Sequence, residues 1–357
     1  MKAVIMAGGT GGHVYPALAV ATELQRRGHT VTWMGTPDSF ESRVVPQRGI
    51  PLELIRIAGL RGKGVVRWLQ APFRLWRGLL DARGVLKRQR PQVVLGMGGF
   101  AAGPGGLMAW LSRIPLVIHE QNAVAGMTNR WLAHVATVAL EAFPRALAGG
   151  RTVGNPVRAD IAGLPGPAQR LAERSGAMRL LVLGGSLGAK ALNERVPQAL
   201  ARLPAAARPE VRHQGGRTVE VARAAYRAAG VVADVAPFID DMAGAYAWAD
   251  LVVCRAGAST IAELAAAGCA SLLVPYPYAV DDHQTRNAEY LVAVGAAELV
   301  QEANLPTEAL AQRLARLLAD RPRLVAMAIA ARGASWPETA AVIADTCERC
   351  AAAKGRE

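Results

Sequence analysis

Directly behind the apolar run Ala3–Met6 and ahead of an amphipathic stretch stands Gly8-Gly9-Thr10-Gly11-Gly12-His13. A glycine turn that opens a helix presents unpaired backbone N–H groups and the positive end of a helix dipole, so phosphate or diphosphate is its natural ligand. The loop is not a dinucleotide fingerprint, because GxGxxG counted from Gly9 needs glycine where Val14 stands, and it lacks the GK[ST] ending of a P-loop. His13 follows the turn at once. An imidazole there has the proton affinity to act as a base toward a substrate hydroxyl; the plainer alternative is a histidine that only caps or packs the start of the helix.

The device recurs in Gly184-Gly185-Ser186-Leu187-Gly188-Ala189-Lys190, which also matches GxSxG. A serine hydrolase would use Ser186 as nucleophile, with Asp240 or Asp250 and then His283 in the acid-before-histidine order. That reading gives the matching loop near the N-terminus no purpose, whereas a diphosphate at a helix N-terminus accounts for both. A third strand, turn and helix start, Arg255-Ala256-Gly257-Ala258-Ser259-Thr260-Ile261-Ala262-Glu263, offers Glu263 two roles. Its carboxylate either closes a capping box with Thr260 or accepts bonds from the two hydroxyls of a ribose. His119-Glu120-Gln121-Asn122 sits at the carboxyl end of a predicted strand, where ligands bind in such sheets. Asp-x-Asp and HExxH do not occur, so neither a metal–diphosphate site of that type nor a zinc peptidase is supported. Charge on a leaving group then falls to helix ends and to cations such as Arg158.

Short aliphatic runs alternate with amphipathic, alanine-rich segments from end to end, the pattern of βα units around parallel sheets. Strands are predicted at Ala3–Met6, Thr30–Met34, Leu52–Ile57, Val93–Gly96 and Leu116–His119, then at Leu180–Leu183, Val211–Gln214, Val231–Phe238, Leu251–Cys254, Ser271–Pro275 and Ala297–Val300. The series occurs twice, and 357 residues are enough for two domains with cores of their own. Three prolines and three glycines in residues 153–167 break any continuous element, which puts the hinge near Gly154–Arg158. The expected fold class is α/β, with two doubly wound, Rossmann-like parallel-sheet domains facing a central cleft that receives the ligand. Between Arg90 and Arg113 lie 22 uncharged residues, but Pro104 and six glycines interrupt them, so a buried strand, a turn and a helix are expected rather than a membrane span. The four cysteines, Cys254, Cys269, Cys347 and Cys350, are too few for a disulfide framework and read as reduced thiols. Cys347 and Cys350 have zinc-like spacing without two further ligands nearby.

A formal charge of +13 favours polyanionic partners: nucleic acid, phosphorylated small molecules or an anionic membrane. Ten basic residues and one acid, Asp81, fall between Arg56 and Arg90, interleaved with Trp68, Leu69, Phe73, Trp76, Leu79 and Leu80. Such a cationic amphipathic stretch suits an anionic leaflet, where each basic side chain contributes roughly 1 kcal/mol. The alternative is that Leu69, Phe73, Trp76 and Leu80, at helical spacing, pack on the sheet. No recognised nucleic-acid motif accompanies the charge, and none is expected to bind.

Taken in order, GGTGGHVYPALAV, the GLRGKG of Gly59–Gly64, GMGGFAAGPGG, HEQNAVAGMTN, GNPVR, GGSLGAKALN and DDHQTRNA make the chain resemble the lipid II-forming N-acetylglucosaminyltransferases of bacterial peptidoglycan synthesis over nearly its whole length. The resemblance implies a GT-B fold and inverting transfer of N-acetylglucosamine from UDP-N-acetylglucosamine to the 4-hydroxyl of undecaprenyl-diphospho-N-acetylmuramoyl-pentapeptide. It places the enzyme peripherally on the cytoplasmic face of the bacterial plasma (inner) membrane, with no cofactor and no metal. It implies an acceptor- and membrane-facing domain over residues 1–157, a UDP-sugar domain over 158–335, a helix at 336–350 packing back on the first domain, and a flexible tail at 351–357. By position, Thr10, Gly11, Gly12 and Asn122 would help bind the donor, with His13 the general base. Arg158 and the Ser186 turn would face the diphosphate, and the main chain at Ile239 would read the uracil. Ala258, Ser259, Thr260, Ile261, Ala262 and Glu263 would hold the nucleoside, Glu263 on the ribose, and Gln284 would bond the sugar hydroxyls. Leu187, Ala256 and His283 depart from the glutamine, serine and glutamine usual in the family. Two competing readings are a sugar-nucleotide epimerase on the same fold and a membrane-bound sugar-nucleotide sensor without catalysis.

Overall fold

The structure is a computed structural model that describes residues 1–57 and 65–354, with the side chains of 65–72 and 354 outside the description. The GLRGKG segment and the side chains of Arg67, Trp68 and Leu69 therefore lie outside the described residues. The chain divides into two compact units, one formed by Met1–Val157 with the segment from Trp336 onward, the other by Arg158–Ser335.

In the first unit, β1 (Lys2–Met6), β2 (Thr30–Gly35), β3 (Leu52–Leu54), β4 (Val93–Gly96), β5 (Leu116–Glu120), β6 (Val138–Glu141) and β7 (Arg151–Thr152) pair in parallel in the order β3-β2-β1-β4-β5-β6-β7. In the second, β8 (Arg179–Leu183), β9 (Glu210–Gln214), β10 (Asp234–Ala236), β11 (Leu251–Cys254), β12 (Ser271–Leu273) and β13 (Ala297–Leu299) repeat the plan in the order β10-β9-β8-β11-β12-β13. Both sheets are doubly wound. The strand order reverses beside the first strand of each unit, so the loops after β1 and β4, and after β8 and β11, flank a crevice at the carboxyl ends of the strands.

Alternate residues of β1 serve opposite cores: Ala3 and Ile5 pack with Trp33, Val93 and Leu95, while Val4 and Met6 pack with Met34, Val94 and Ile118. Burial of both faces explains why the strands read as continuous apolar runs. The uncharged stretch after Arg90 resolves into β4 and the helix Ala102–Leu111. Its glycines serve close packing, since a Cβ on Gly105 would overlap the Met6 sulfur.

Strands β6 and β7 are absent from the sequence reading. Ala139 dilutes the β signal of Val138–Glu141, and Arg151–Thr152 has no apolar residue; β6 is a strand because β5 offers it an edge, and β7 because β6 in turn does. Conversely, β10 is shorter than the predicted Val231–Phe238. The Val231 N–H is spent on the Tyr226 carbonyl at a helix end, and Pro237 has no N–H to extend the ladder.

The helix Thr339–Lys354 buries Ile343, Ala344, Cys347, Cys350 and Ala351 in the first unit's core, with Thr339 Oγ1 donating to the Val153 carbonyl at 2.6 Å. It runs past residue 350, and Ala351 is only 6% exposed, so the flexible tail expected from 351 does not begin there. Both cysteines of the zinc-like pair are buried free thiols in this core.

The helix Val65–Gln89 turns Gly78, Ala82, Val85 and Leu86 inward. Phe73, Trp76 and Leu80 are 67%, 62% and 50% exposed, which excludes the alternative that these three pack on the sheet. Helical spacing gave a true stripe, but a second stripe of smaller residues meets the sheet. Among the described residues no helix is long and apolar enough to cross a membrane.

Candidate active site

In the first unit, Thr10 is the N-cap of the helix Gly11–Arg26, so Gly11, Gly12 and His13 form its first turn. The Thr10 side chain makes no capping bond, and its carbonyl accepts from the His13 and Val14 N–H groups at 3.1 and 3.2 Å. The loop ahead of it is pinned from two sides. The Trp33 indole N–H donates to the Ala7 carbonyl at 2.9 Å, and Gly9 N–H donates to Glu41 Oε2 at 3.0 Å. Glu41 is wholly buried, and its Oε1 also accepts from the Thr36 N–H and hydroxyl at 3.1 and 2.8 Å. Burial pushes the Glu41 carboxyl up, but these donors overcome it and hold the group below the usual carboxylate range.

The loop after β4 closes on the loop after β1. Gly98 and Gly99 have φ of +87° and +88°, a region that side chains disfavour. A Cβ on Gly99 would lie 2.6 Å from the Gly8 nitrogen, and one on Gly98 would lie 2.8 Å from His13 Nδ1. At the end of β5, Gln121 Oε1 lies 2.8 Å from His13 Nδ1. Asn122 follows, its N–H donating to Glu120 Oε1 at 2.9 Å, while Glu120 Oε2 accepts from Gly126 N–H and Asn129 Nδ2. Thr10, Gly11, Gly12, His13 and Asn122 thus gather at the carboxyl ends of β1 and β5. His13 is not a helix cap, because its ring is bonded to a different strand end.

In the second unit the loop after β8 leaves Ser186 exposed and turns on a Gly188 N–H to Gly185 carbonyl bond of 3.1 Å. Beneath it, Asn193 Nδ2 donates to the Gly215 and Thr218 carbonyls, and the Asn193 Oδ1 faces buried His213. Ser186, the two candidate acids and His283 share no hydrogen bond. Asp250 precedes β11 at the opposite end of the sheet, paired with Arg174 at 2.8 Å, so the hydrolase constellation is not assembled.

The helix Ala258–Ala267 has Gly257 as its N-cap, with Thr260 inside the first turn. Thr260 cannot therefore cap it, and the capping-box role for Glu263 is excluded. Glu263 instead accepts from the Tyr246 hydroxyl at 3.0 Å. Burial raises its pKa, with Asp160 adding to the rise and Tyr246 and the Arg158 guanidinium opposing it. Arg158 Nε lies 3.5 Å from Asp160, and its Nε and Nη2 atoms are buried with no hydrogen-bond partner. Gln284 Oε1 accepts from the Ala256 and Tyr276 N–H groups at 3.2 and 2.9 Å, which points the donor end of the amide away from the backbone. Among the described residues, the main chain of Ile239, just past β10, has no hydrogen-bond partner. Sequence reasoning missed Glu41, Gly98 and Tyr246; only the paired glycines of GMGG carried any signal for them.

Two all-parallel doubly wound sheets, each with a glycine turn and helix start at its switch point, are the architecture of the GT-B fold. The model of the glycosyltransferase family 28 N-terminal domain matches residues 3–140, and that of the family 28 C-terminal domain matches residues 179–343. A protein of Alkalilimnicola ehrlichii named UDP-N-acetylglucosamine–N-acetylmuramyl-(pentapeptide) pyrophosphoryl-undecaprenol N-acetylglucosamine transferase is 57% identical over 350 residues, 97% of this chain and 98% of that protein. The crystal structure of Acinetobacter baumannii MurG matches with a TM-score of 0.86 at 43% identity, covering 98% of this chain and 99% of that one. The chain belongs to this family of pyrophosphoryl-undecaprenol N-acetylglucosamine transferases within glycosyltransferase family 28. UDP-GlcNAc 2-epimerase from Neisseria meningitidis also matches, with a TM-score of 0.67 over 98% of this chain, but at 12% identity it shares the fold alone.

Proposed function

We propose that this chain transfers N-acetylglucosamine from UDP-N-acetylglucosamine to the 4-hydroxyl of undecaprenyl-diphospho-N-acetylmuramoyl-pentapeptide, the lipid I to lipid II step of peptidoglycan synthesis. The observation that carries the mechanism is His13, set in the first turn of the helix Gly11–Arg26 with its Nδ1 engaged by Gln121 and its Nε2 left for substrate. The acceptor oxygen attacks the anomeric carbon from the face opposite UDP and passes its proton to His13 Nε2. The bond to the β-phosphate oxygen breaks, its electron pair leaves with UDP, and the configuration inverts. Growing charge on the diphosphate is met by Arg158, whose Nε and Nη2 have no hydrogen-bond partner among the described residues, and by backbone N–H groups of the turn around Ser186.

Thr10, Gly11, Gly12 and Asn122 serve the donor from the first unit. In the second, the free main chain of Ile239 reads the uracil edge, residues Ala258–Ala262 hold the nucleoside, Glu263 takes the ribose hydroxyls, and Gln284 donates to the sugar. The first unit takes the acceptor. Its exposed Phe73, Trp76 and Leu80, flanked by Arg77, Arg83 and Lys87, bind the anionic cytoplasmic face of the plasma membrane peripherally.

The test is transfer of labelled sugar to a prenyl-diphospho-muramoyl-pentapeptide by the native chain and by His13→Ala, each with EDTA, with UDP-N-acetylglucosamine affinity measured by calorimetry. Transfer in EDTA that His13→Ala lowers at least about 100-fold with affinity retained supports the reading. Binding without transfer by the native chain would favour the epimerase or sensor.

A further inference from the structure

Three side chains of the first unit form a hydrogen-bonded chain whose proton positions follow from one end. His119 is fully buried, and its Nε2 lies 2.8 Å from the Gly154 carbonyl oxygen, which can only accept. Nε2 therefore carries the ring proton. Burial pushes this imidazole down to about 4, against the pull of Gly154, Glu120 and Glu141, so the ring is neutral and Nδ1 is an open lone pair.

That lone pair lies 3.1 Å from Gln121 Nε2, which also donates to the carbonyl of His119 at 3.1 Å. The carbonyl fixes which end of the amide is the NH2, and both of its hydrogens are turned to His119. Gln121 Oε1 is thereby left facing His13 Nδ1 at 2.8 Å, and an amide oxygen accepts only. His13 Nδ1 must donate. In a neutral ring its Nε2 is then the basic nitrogen. Asn155 Nδ2, donating to the Gln121 carbonyl at 2.9 Å, holds the relay's backbone in place.

We propose that Gln121 and His119 are positioning residues that hold His13 in the Nδ1–H tautomer and so keep Nε2 open toward the attacking hydroxyl, an inference that rests on His13 being the base. A histidine left to itself favours the proton on Nε2, which would present a donor where the reaction needs an acceptor. Once Nε2 has taken the substrate proton, the Nδ1–H bond to Gln121 Oε1 persists and is strengthened by the imidazolium charge.

The test uses the full chain labelled with 15N-histidine. Long-range 15N–1H correlation spectra are recorded at a pH where His13 is neutral, and its signals are assigned by their loss in His13→Ala. The expected result is Nδ1–H in the native protein, Nε2–H in Gln121→Met, and a kcat about 10- to 100-fold lower in that variant with the donor KM unchanged. Gln121→Glu restores an acceptor for Nδ1–H, recovers part of kcat and moves the acidic limb of the pH profile to higher pH, because the carboxylate favours the protonated imidazole, which a merely structural residue would not do. A native His13 protonated on Nε2 overturns the proposal without any variant. So does a Gln121→Met protein with unaltered donor KM and unaltered kcat. Undiminished transfer by His13→Ala would remove the base assignment itself while leaving the tautomer signature intact, so the two failures are distinguishable.

Discussion

A methyl group added to Gly98 would stand 2.8 Å from Nδ1 of His13, although 85 positions separate the two residues. The left-handed backbone of Gly98, at φ +87°, leaves a gap on that side of the imidazole, and Gln121 closes the ring's hydrogen bond. The ring is thus confined by a residue that contributes no atoms beyond its backbone.

Gly98→Ala is expected to lower kcat at least about 10-fold with little change in donor KM, because displacement of a catalytic group by about 1 Å can cost 100-fold. It also forces alanine into a disfavoured region at about 1–2 kcal/mol. Steady-state kinetics and urea unfolding of the same preparation separate the two effects.

Glu41→Ala strips the partner from the Gly9 N–H and from the Thr36 N–H and hydroxyl in a buried setting. A loss of about 3 kcal/mol is expected, measured by urea unfolding, with weakened donor binding as the glycine loop loosens. Unchanged stability would mean that the loop needs no such clamp.

Glu263→Gln should weaken UDP binding about 10- to 100-fold in calorimetry, and Tyr246→Phe by less, since it frees a carboxylate oxygen rather than removing it. Because burial raises the Glu263 pKa, UDP affinity should begin to fall with acidification at a pH above the usual carboxylate range. A fall confined to the ordinary range would argue against Glu263 as the ribose ligand.

Replacing Phe73, Trp76 and Leu80 together by serine should abolish flotation with anionic vesicles and leave thermal unfolding nearly unchanged, because all three are at least half exposed. Binding should also weaken with salt. A large drop in melting temperature would instead show that these side chains hold the fold.

Burial holds His119 at about 4, below its unfolded value of 6.5, so the unfolded chain binds the extra proton between those limits. Stability of the first unit is therefore full above pH 6.5 and declines as pH falls toward 4, by on the order of 3 kcal/mol. Chemical unfolding at a series of pH values tests this, and a flat profile across that window would contradict it.

Most of the sheet framework was legible in the sequence because buried parallel strands must be apolar on both faces, and turns that open helices toward phosphate need glycine. Those two requirements marked β1, β4, β5, β8, β11 and β12, the glycine loops, and His13 by adjacency. They were silent where a strand exists only through its neighbour, as with Arg151–Thr152, and on which way an apolar stripe faces, as with Phe73, Trp76 and Leu80, for which an exposed and a packed reading stood side by side. The choice between a capping box and a ligand role at Glu263 hung on a one-turn question, whether the helix starts at Gly257 or Thr260, and local propensity does not settle helix ends. Glu41, Gly98 and Tyr246 escaped notice because their partners lie 32, 85 and 17 residues away in sequence and meet them only once the strands have paired. The tautomer of His13 belongs to the same class. It depends on a carbonyl at Gly154 read through His119 and Gln121, a relation between strand ends that no linear pattern encodes.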